Sequence, residues 1–365
     1  MSQKKMLLIT PDFPPHKGGV ATYLSTFAFY FKEKIEILTQ TDPQSHFFDV
    51  GVEYPVYRKS LFFKWIWPHW LKMVMYLFLY RHDYRLILVS HLLPVGTAAL
   101  LAKKLTKIPY VVFIHGMDLR LANTSWKKHY LSAEVLREAQ LVVANSKALA
   151  KEITNIYRIS NVLVLYPCLF PQKDNISVVV KNESVFTLLT VSRLVQRKGH
   201  IPVLHALANL KNSGKLSHFL YHIVGHGPME PILKSLVLEL GLEKQVVFHG
   251  NVSDDDRGSF YTSADIFIMP VSLDPVDKEG FGLVFIEAAQ AGLPSLSTNI
   301  EGVNEAIIDG ETGILLPDQN EQVLAEAIFT LYSNRSLRQR LSDNARRHAQ
   351  TFLFDVQMKK IEPYL

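Results

Sequence analysis

The sequence is short of cysteine, of long apolar runs and of the third glycine that a dinucleotide-binding fingerprint requires. Cys168 is the only cysteine in 365 residues, which excludes an internal disulfide framework and a cysteine-based zinc cluster and fits a reducing compartment. The apolar run at 6–10 stops at Pro11, too brief for a secretory core or a membrane span, so the chain reads as cytoplasmic. The glycine pair in Gly225-His226-Gly227-Pro228 has no third glycine and carries a proline, which argues against a nicotinamide or flavin enzyme. Neither internal repeats nor low-complexity tracts occur.

What is present is the balance of a folded protein, with 48% hydrophobic and 20% charged residues in a length that suggests two domains. Its net charge of +5 is unevenly spread: residues up to Phe170 hold 21 Lys and Arg against 11 Asp and Glu, and the remainder 18 against 23. A basic half calls for an anionic partner, and nucleic acid, an anionic membrane surface and a phosphorylated substrate are the candidates. No recognised nucleic-acid module accompanies the charge, so nucleic acid is set aside.

Short Val, Ile and Leu runs alternate with amphipathic stretches, as in α/β domains. Strands are expected at 6–10, 35–39, 86–90, 110–114, 141–144 and 162–165, then at 186–191, 219–224, 246–248, 266–269, 295–297 and 313–316. Continuously apolar strands imply parallel sheets covered on both faces. The expected organisation is a doubly wound domain over 1–168, a linker over 169–184, a second doubly wound domain over 185–347, and a terminal helix, 348–365, packing back on the first domain.

Three segments carry chemistry. Gly18-Gly19 follows the first strand and opens a helix pattern at Val20, Tyr23, Leu24 and Phe27; paired glycines there let backbone N–H groups approach an anion, the alternative being a tight turn. Ser192-Arg193-Leu194-Val195-Gln196-Arg197-Lys198-Gly199 sets cations after the first strand of the second domain, where a diphosphate or a solvated charge cluster would suit them. Glu279 and Glu287 flank a Gly280-Phe281-Gly282-Leu283 turn into an almost wholly apolar helix. A carboxylate on such a helix needs a polar partner, either ribose hydroxyls or nearby backbone.

Together with His115-Gly116-Met117-Asp118, Ala144-Asn145-Ser146, 224–228, 247–252, Gly292 and Pro294, these segments resemble the retaining glycosyltransferases of family 4, from Thr10 to about Arg347. The resemblance implies the GT-B fold, two Rossmann-like doubly wound domains facing across a cleft, and a nucleotide-diphosphate sugar as donor. It implies that Gly18 and Gly19 lend N–H groups to the diphosphate, that Arg193 and Lys198 neutralise it as it leaves, and that Glu287 binds the ribose. Glu279 with the backbone of Gly280, Phe281, Gly282 and Leu283 would hold the donor sugar, His115 would sit beside it, and Gly250, Asn251 and Val252 would meet the nucleobase edge. A non-catalytic sugar-nucleotide or carbohydrate binding protein of the same fold is the alternative, against which the intact set of Arg193, Lys198, Glu279 and Glu287 argues.

No metal is expected: Asp254-Asp255-Asp256 follows Ser253 as the capped first turn of a helix, and the His115/Asp118 and His200/His205 pairs lack a third ligand. Tyr166-Pro167-Cys168-Leu169-Phe170 and Glu301-Gly302-Val303-Asn304-Glu305 depart from the family pattern without removing a residue assigned to chemistry. Between Tyr54 and His82 there is no acidic residue, yet Arg58, Lys59, Lys64, Lys72 and Arg81 interleave with Trp65, Trp67 and Trp70. This mixture suits a membrane interface. The expectation is an exposed loop over 59–68, a core helix over 70–80 with Met73, Leu77 and Tyr80 buried, and a peripheral enzyme acting on a lipid-linked or membrane-proximal glycan. The opening segment from Asp12 to Leu24 is similar to that of bacterial phosphatidylinositol mannosyltransferases, which favours GDP-mannose, with a UDP-sugar as the other option.

Overall fold

The computed structural model describes residues 4–16, 18–169, 184–273 and 281–365. The chain divides into two compact units, Met1–Cys168 with Gln357–Leu365, and Leu169–Val356. The terminal stretch of the first unit therefore starts at Gln357 instead of residue 348. It is tied down within that unit by Tyr30 Oη donating to Glu362 Oε1 (2.8 Å) and by the backbone N–H of Tyr166 donating to Gln357 Oε1 (3.2 Å).

The first unit contains one parallel sheet of β1 (Lys5–Thr10), β2 (Ile35–Thr39), β3 (Val56–Arg58), β4 (Tyr84–Val89), β5 (Tyr110–Ile114), β6 (Leu141–Ala144) and β7 (Val162–Val164), in the order β3-β2-β1-β4-β5-β6-β7. Strands such as β5 are buried at every residue because helices cover both faces. Sequence reasoning expected six strands here. The seventh, β3, escaped because it is a three-residue edge strand without a fully buried residue, paired to β2 through Ile37 and Val56.

The second unit contains β8 (Phe186–Val191), β9 (Phe219–Val224), β10 (Val246–Gly250), β11 (Ile266–Ile268), β12 (Ser295–Thr298) and β13 (Gly313–Leu316), all parallel, in the order β10-β9-β8-β11-β12-β13. In both sheets the order reverses beside the first strand, between β1 and β4 and between β8 and β11. Open α/β sheets take ligands in the crevice outside the carboxyl ends at such a point.

Two local readings meet the structure directly. Ser253 caps helix Asp254–Ser263: its hydroxyl accepts from the Asp256 N–H at 3.1 Å and donates to the Asp256 carboxylate at 2.6 Å. Helix Leu71–Leu79 buries Met73, Val74 and Leu77, but Tyr80 is 40% exposed. Tyr80 sits at the C-cap with φ −98° and ψ 20°, off the helical track, so the i, i+4 stripe does not carry through to it.

Candidate active site

In the first unit, Thr10 ends β1 and the chain reaches helix Gly19–Tyr30 through Gly18. Gly18 is extended (φ 168°, ψ 155°), offers no side-chain cap, and a Cβ at Gly18 or at Gly19 would meet nothing within 4 Å. Both glycines are exposed. Neither left-handed backbone nor internal crowding demands glycine here, so the fold alone does not explain the pair. What the pair does leave open is the N-terminal end of a twelve-residue helix, whose first N–H groups lack intrahelical acceptors.

His115 closes β5 beside this loop, its ring 5.5 Å from that of Tyr23 and 6.4 Å from that of His91. Burial holds its pKa down to about 3, so the ring is neutral at physiological pH and can position a ligand but not protonate one. Its Nε2 is buried without a hydrogen-bond partner. The turn is shaped by Asp118, whose Oδ1 accepts from the N–H groups of His115 (3.2 Å), Gly116 (3.0 Å) and Leu119 (3.1 Å), while Oδ2 is buried and unpartnered. Burial raises the Asp118 pKa against these bonds.

Sequence reasoning missed two neighbours of His115. Asp12 Oδ2 lies 3.2 Å from His91 Nε2, and His91 Nδ1 lies 2.6 Å from Ser90 Oγ, which donates to Thr10 Oγ1 at 2.8 Å. The hydrogen bond to His91 holds the Asp12 carboxyl below its ordinary range despite partial burial. Both residues sit at the β1/β4 reversal, a position visible only once the strand order is known.

In the second unit, Arg193 is exposed and Lys198 is 7% exposed, on the three-residue turn Gln196–Lys198 after β8. The following Gly199 has φ +76°, and a Cβ there would lie 2.1 Å from the Pro270 carbonyl oxygen. Lys198 also acts on its neighbour: burial first, and then its charge, lowers the His200 pKa to about 4. The Gly225 and Gly227 pair, set aside as a dinucleotide motif, has a packing role. A Cβ at Gly225 would meet Ser192 O at 1.9 Å, and one at Gly227 would meet Leu194 O at 2.4 Å. These glycines let the loop bearing Arg193 cross the end of β9, where Leu194 N–H donates to His226 O at 3.1 Å.

Glu279 and Gly280 lie outside the described residues. Gly282 caps helix Leu283–Ala291 with φ +75°, Phe281 is 2% exposed against Phe352, and Leu283 opens the helix. Glu287 finds side-chain partners: Tyr261 Oη donates to Oε2 at 2.8 Å and Arg257 reaches Oε1 at 3.4 Å. Gly250, with φ +64°, accepts at its carbonyl from Gly225 N–H at 2.8 Å, and Asn251 beyond it is exposed. Among the described residues no group of three metal-ligating side chains converges, and no helix is long and apolar enough to cross a membrane.

The loop expected to be exposed carries Trp65 at 94%, Ile66 at 51% and Trp67 at 84% exposure. Beside it is a cavity of about 410 Å³ lined by Phe62, Phe63, Trp67, Pro68, His69, Trp70 and Pro94. Lys59 lies over the rings of Tyr76 and Tyr80, and Lys72 over Phe63.

Two family models match the chain, Glycosyltransferase Family 4 over residues 17–170 and Glycosyl transferases group 1 over residues 171–348. The GDP-mannose-dependent alpha-(1-6)-phosphatidylinositol monomannoside mannosyltransferase of Mycolicibacterium smegmatis is 24% identical over 350 residues, 90% of this chain and 89% of that one. The Mycobacterium tuberculosis enzyme of the same description is 32% identical over 151 residues, 41% of this chain and 39% of that one. Among solved structures, Anabaena Alr3699/HepE in complex with UDP superposes with a TM-score of 0.80 at 21% identity, covering 98% of each chain.

Proposed function

The chain belongs to the family-4 glycosyltransferases, and from that premise we propose that it moves a hexose, with retention, from a nucleotide-diphosphate sugar to a lipid-linked or membrane-proximal glycan acceptor. The observation that carries the donor reading is the glycine pair Gly18-Gly19, which opens an uncapped helix N-terminus without any conformational or steric need for glycine. An anion is the ligand such a terminus suits. GDP-mannose is the favoured donor, in keeping with the mannosyltransferase relatives; the UDP bound in the Anabaena protein keeps a UDP-sugar as the other arm of the test.

Transfer breaks the bond between the anomeric carbon and the diphosphate oxygen and forms one to the acceptor oxygen. The acceptor's proton passes to the departing diphosphate. Charge accumulates on that diphosphate, so Arg193, Lys198 and the Gly19 N–H act where it develops, each essential donor being worth about 3–4 kcal/mol. Glu287 orders the ribose, Glu279 and the 280–283 backbone hold the hexose, His115 positions it as a neutral ring, and Gly250, Asn251 and Val252 meet the base. The chemistry needs no metal.

The acceptor side rests on the exposed Trp65 and Trp67, the acid-free basic stretch around them and the adjacent apolar cavity. Rings at headgroup depth with cations on anionic lipid would hold the enzyme peripherally at the cytosolic membrane face. Release of nucleoside diphosphate from GDP-mannose and from UDP-glucose tests the chemistry: Arg193→Ala and Lys198→Ala are expected to slow it roughly 100-fold or more, and unchanged rates would remove the site. Sedimentation with anionic and neutral vesicles tests the surface; equal recovery from both, unaltered by Trp65→Ala with Trp67→Ala, would remove that part.

A further inference from the structure

Asp12 and His91 stand outside every role assigned so far, yet they occupy the crevice where the first sheet reverses its strand order, one after β1 and the other after β4. Resting on the glycosyltransferase reading, we propose that Asp12 accepts a hydrogen bond from a hydroxyl of a hexoside acceptor and that His91 is the positioning residue that aims this carboxylate.

The orientation follows from a chain of hydrogen bonds. Thr10 Oγ1 donates to the Asp12 carbonyl at 2.9 Å and accepts from Ser90 Oγ at 2.8 Å. Ser90 Oγ in turn meets His91 Nδ1 at 2.6 Å. Nε2 on the other side of the ring lies 3.2 Å from Asp12 Oδ2, so the imidazole is held between Ser90 and the carboxylate. The arrangement fixes Oδ2 from behind. Asp12 is 51% exposed at its side chain, and Oδ1 has no hydrogen-bond partner among the described residues.

A second observation points to a polar ligand at the same place. His115 Nε2 is buried without a partner, in a ring 6.4 Å from that of His91. The donor hexose that His115 positions would satisfy the imidazole nitrogen, and an acceptor ring beside that hexose would offer the Asp12 carboxylate a donor. The titratable groups facing Asp12 are His91, His16 and His115; His16 is itself 3.4 Å from Asp42, and Asp118 acts on His91 from the other side. A carboxyl held below its ordinary range stays ionised, so it accepts a hydrogen bond without taking the proton: Asp12 orients the hydroxyl while the proton leaves with the diphosphate.

The test uses the full chain labelled with 13C at aspartate carboxyls, with methyl α-D-mannopyranoside as probe in the presence of GDP or UDP. The probe is expected to shift the Asp12 signal, and Asp12→Asn to weaken probe binding roughly tenfold or more, with nucleotide binding and melting temperature unchanged. His91→Asn is expected to raise the Asp12 titration midpoint, because the hydrogen bond from His91 is the first cause of its lowering, a change that a merely structural histidine would not produce. Nucleotide binding without any probe effect on Asp12, equal probe affinity in Asp12→Asn, or an unmoved midpoint in His91→Asn would overturn the proposal. Failure of both nucleotides to bind the wild type would instead overturn the reading beneath it.

Discussion

Replacing Gly225 by alanine tests whether the loop bearing Arg193 is held by the glycine turn beneath it. The new Cβ would lie 1.9 Å from Ser192 O and 2.9 Å from Ser192 C, whereas ordinary contact begins near 3.4 Å. The backbone at Ser192 would have to retreat by about 1.5 Å, the difference between those two oxygen distances. Both sides resist: Ser192 N–H donates to Val224 O at 3.0 Å, and Gly225 N–H donates to Gly250 O at 2.8 Å. Overpacking costs about 1–3 kcal/mol and the strained backbone, at φ +129°, about 1–3 kcal/mol more. For a unit the size of Leu169–Val356 that is a fall in melting temperature of roughly 5–20 °C. Scanning calorimetry should show it, alongside Gly214→Ala as the control, because Gly214 has φ +70° with open space where its Cβ would go. A Gly225→Ala protein melting within about 2 °C of that control would refute the packing role.

Gly19→Ala should behave oppositely. With no clash and no left-handed backbone, its melting temperature should hold or rise with a gain of up to about 1 kcal/mol, while nucleoside diphosphate affinity measured by titration calorimetry should fall; a fall in stability with affinity intact would show the glycine serves the fold. His200 predicts a pH effect with a definite sign. Its folded pKa of about 4 lies below the ordinary 6.5, so its contribution to stability is present above pH 6.5 and is lost as pH falls toward 4. Between pH 7 and 5 that loss is about 2 kcal/mol; urea denaturation should show a slope over this interval that is smaller in His200→Gln. Tyr261→Phe removes the 2.8 Å donor to Glu287 from a residue 5% exposed and should cost about 1.5–3 kcal/mol in the same assay.

Buried strands were legible because a parallel strand covered on both faces needs continuous apolar residues, and 110–114 or 186–191 offer little else. The edge strand Val56–Arg58 was not, since pairing on one side leaves it free to be polar. Tyr80 shows the limit of periodicity, which cannot say where a helix stops. At the site, motif glycines and cations could be read along the chain, whereas Asp12 and His91 are 79 positions apart in number and meet only because β1 and β4 are neighbours. Gly225 and Gly227 were visible but their reason was not: it lies in the backbone of 192–194, which only the folded loop brings against them. Glu287 invited a polar partner, but that Tyr261 and Arg257 supply one is a property of two helices packed side by side.

The most direct measurement is the melting temperature of the wild-type chain against GDP, UDP, GDP-mannose and UDP-glucose. A nucleotide-sugar enzyme should be stabilised by one base series, by about 2.7 kcal/mol when ligand reaches 100 times its Kd, and Arg193→Ala should lose most of that gain. No stabilisation by either series, or an equal gain in Arg193→Ala, would contradict the donor site.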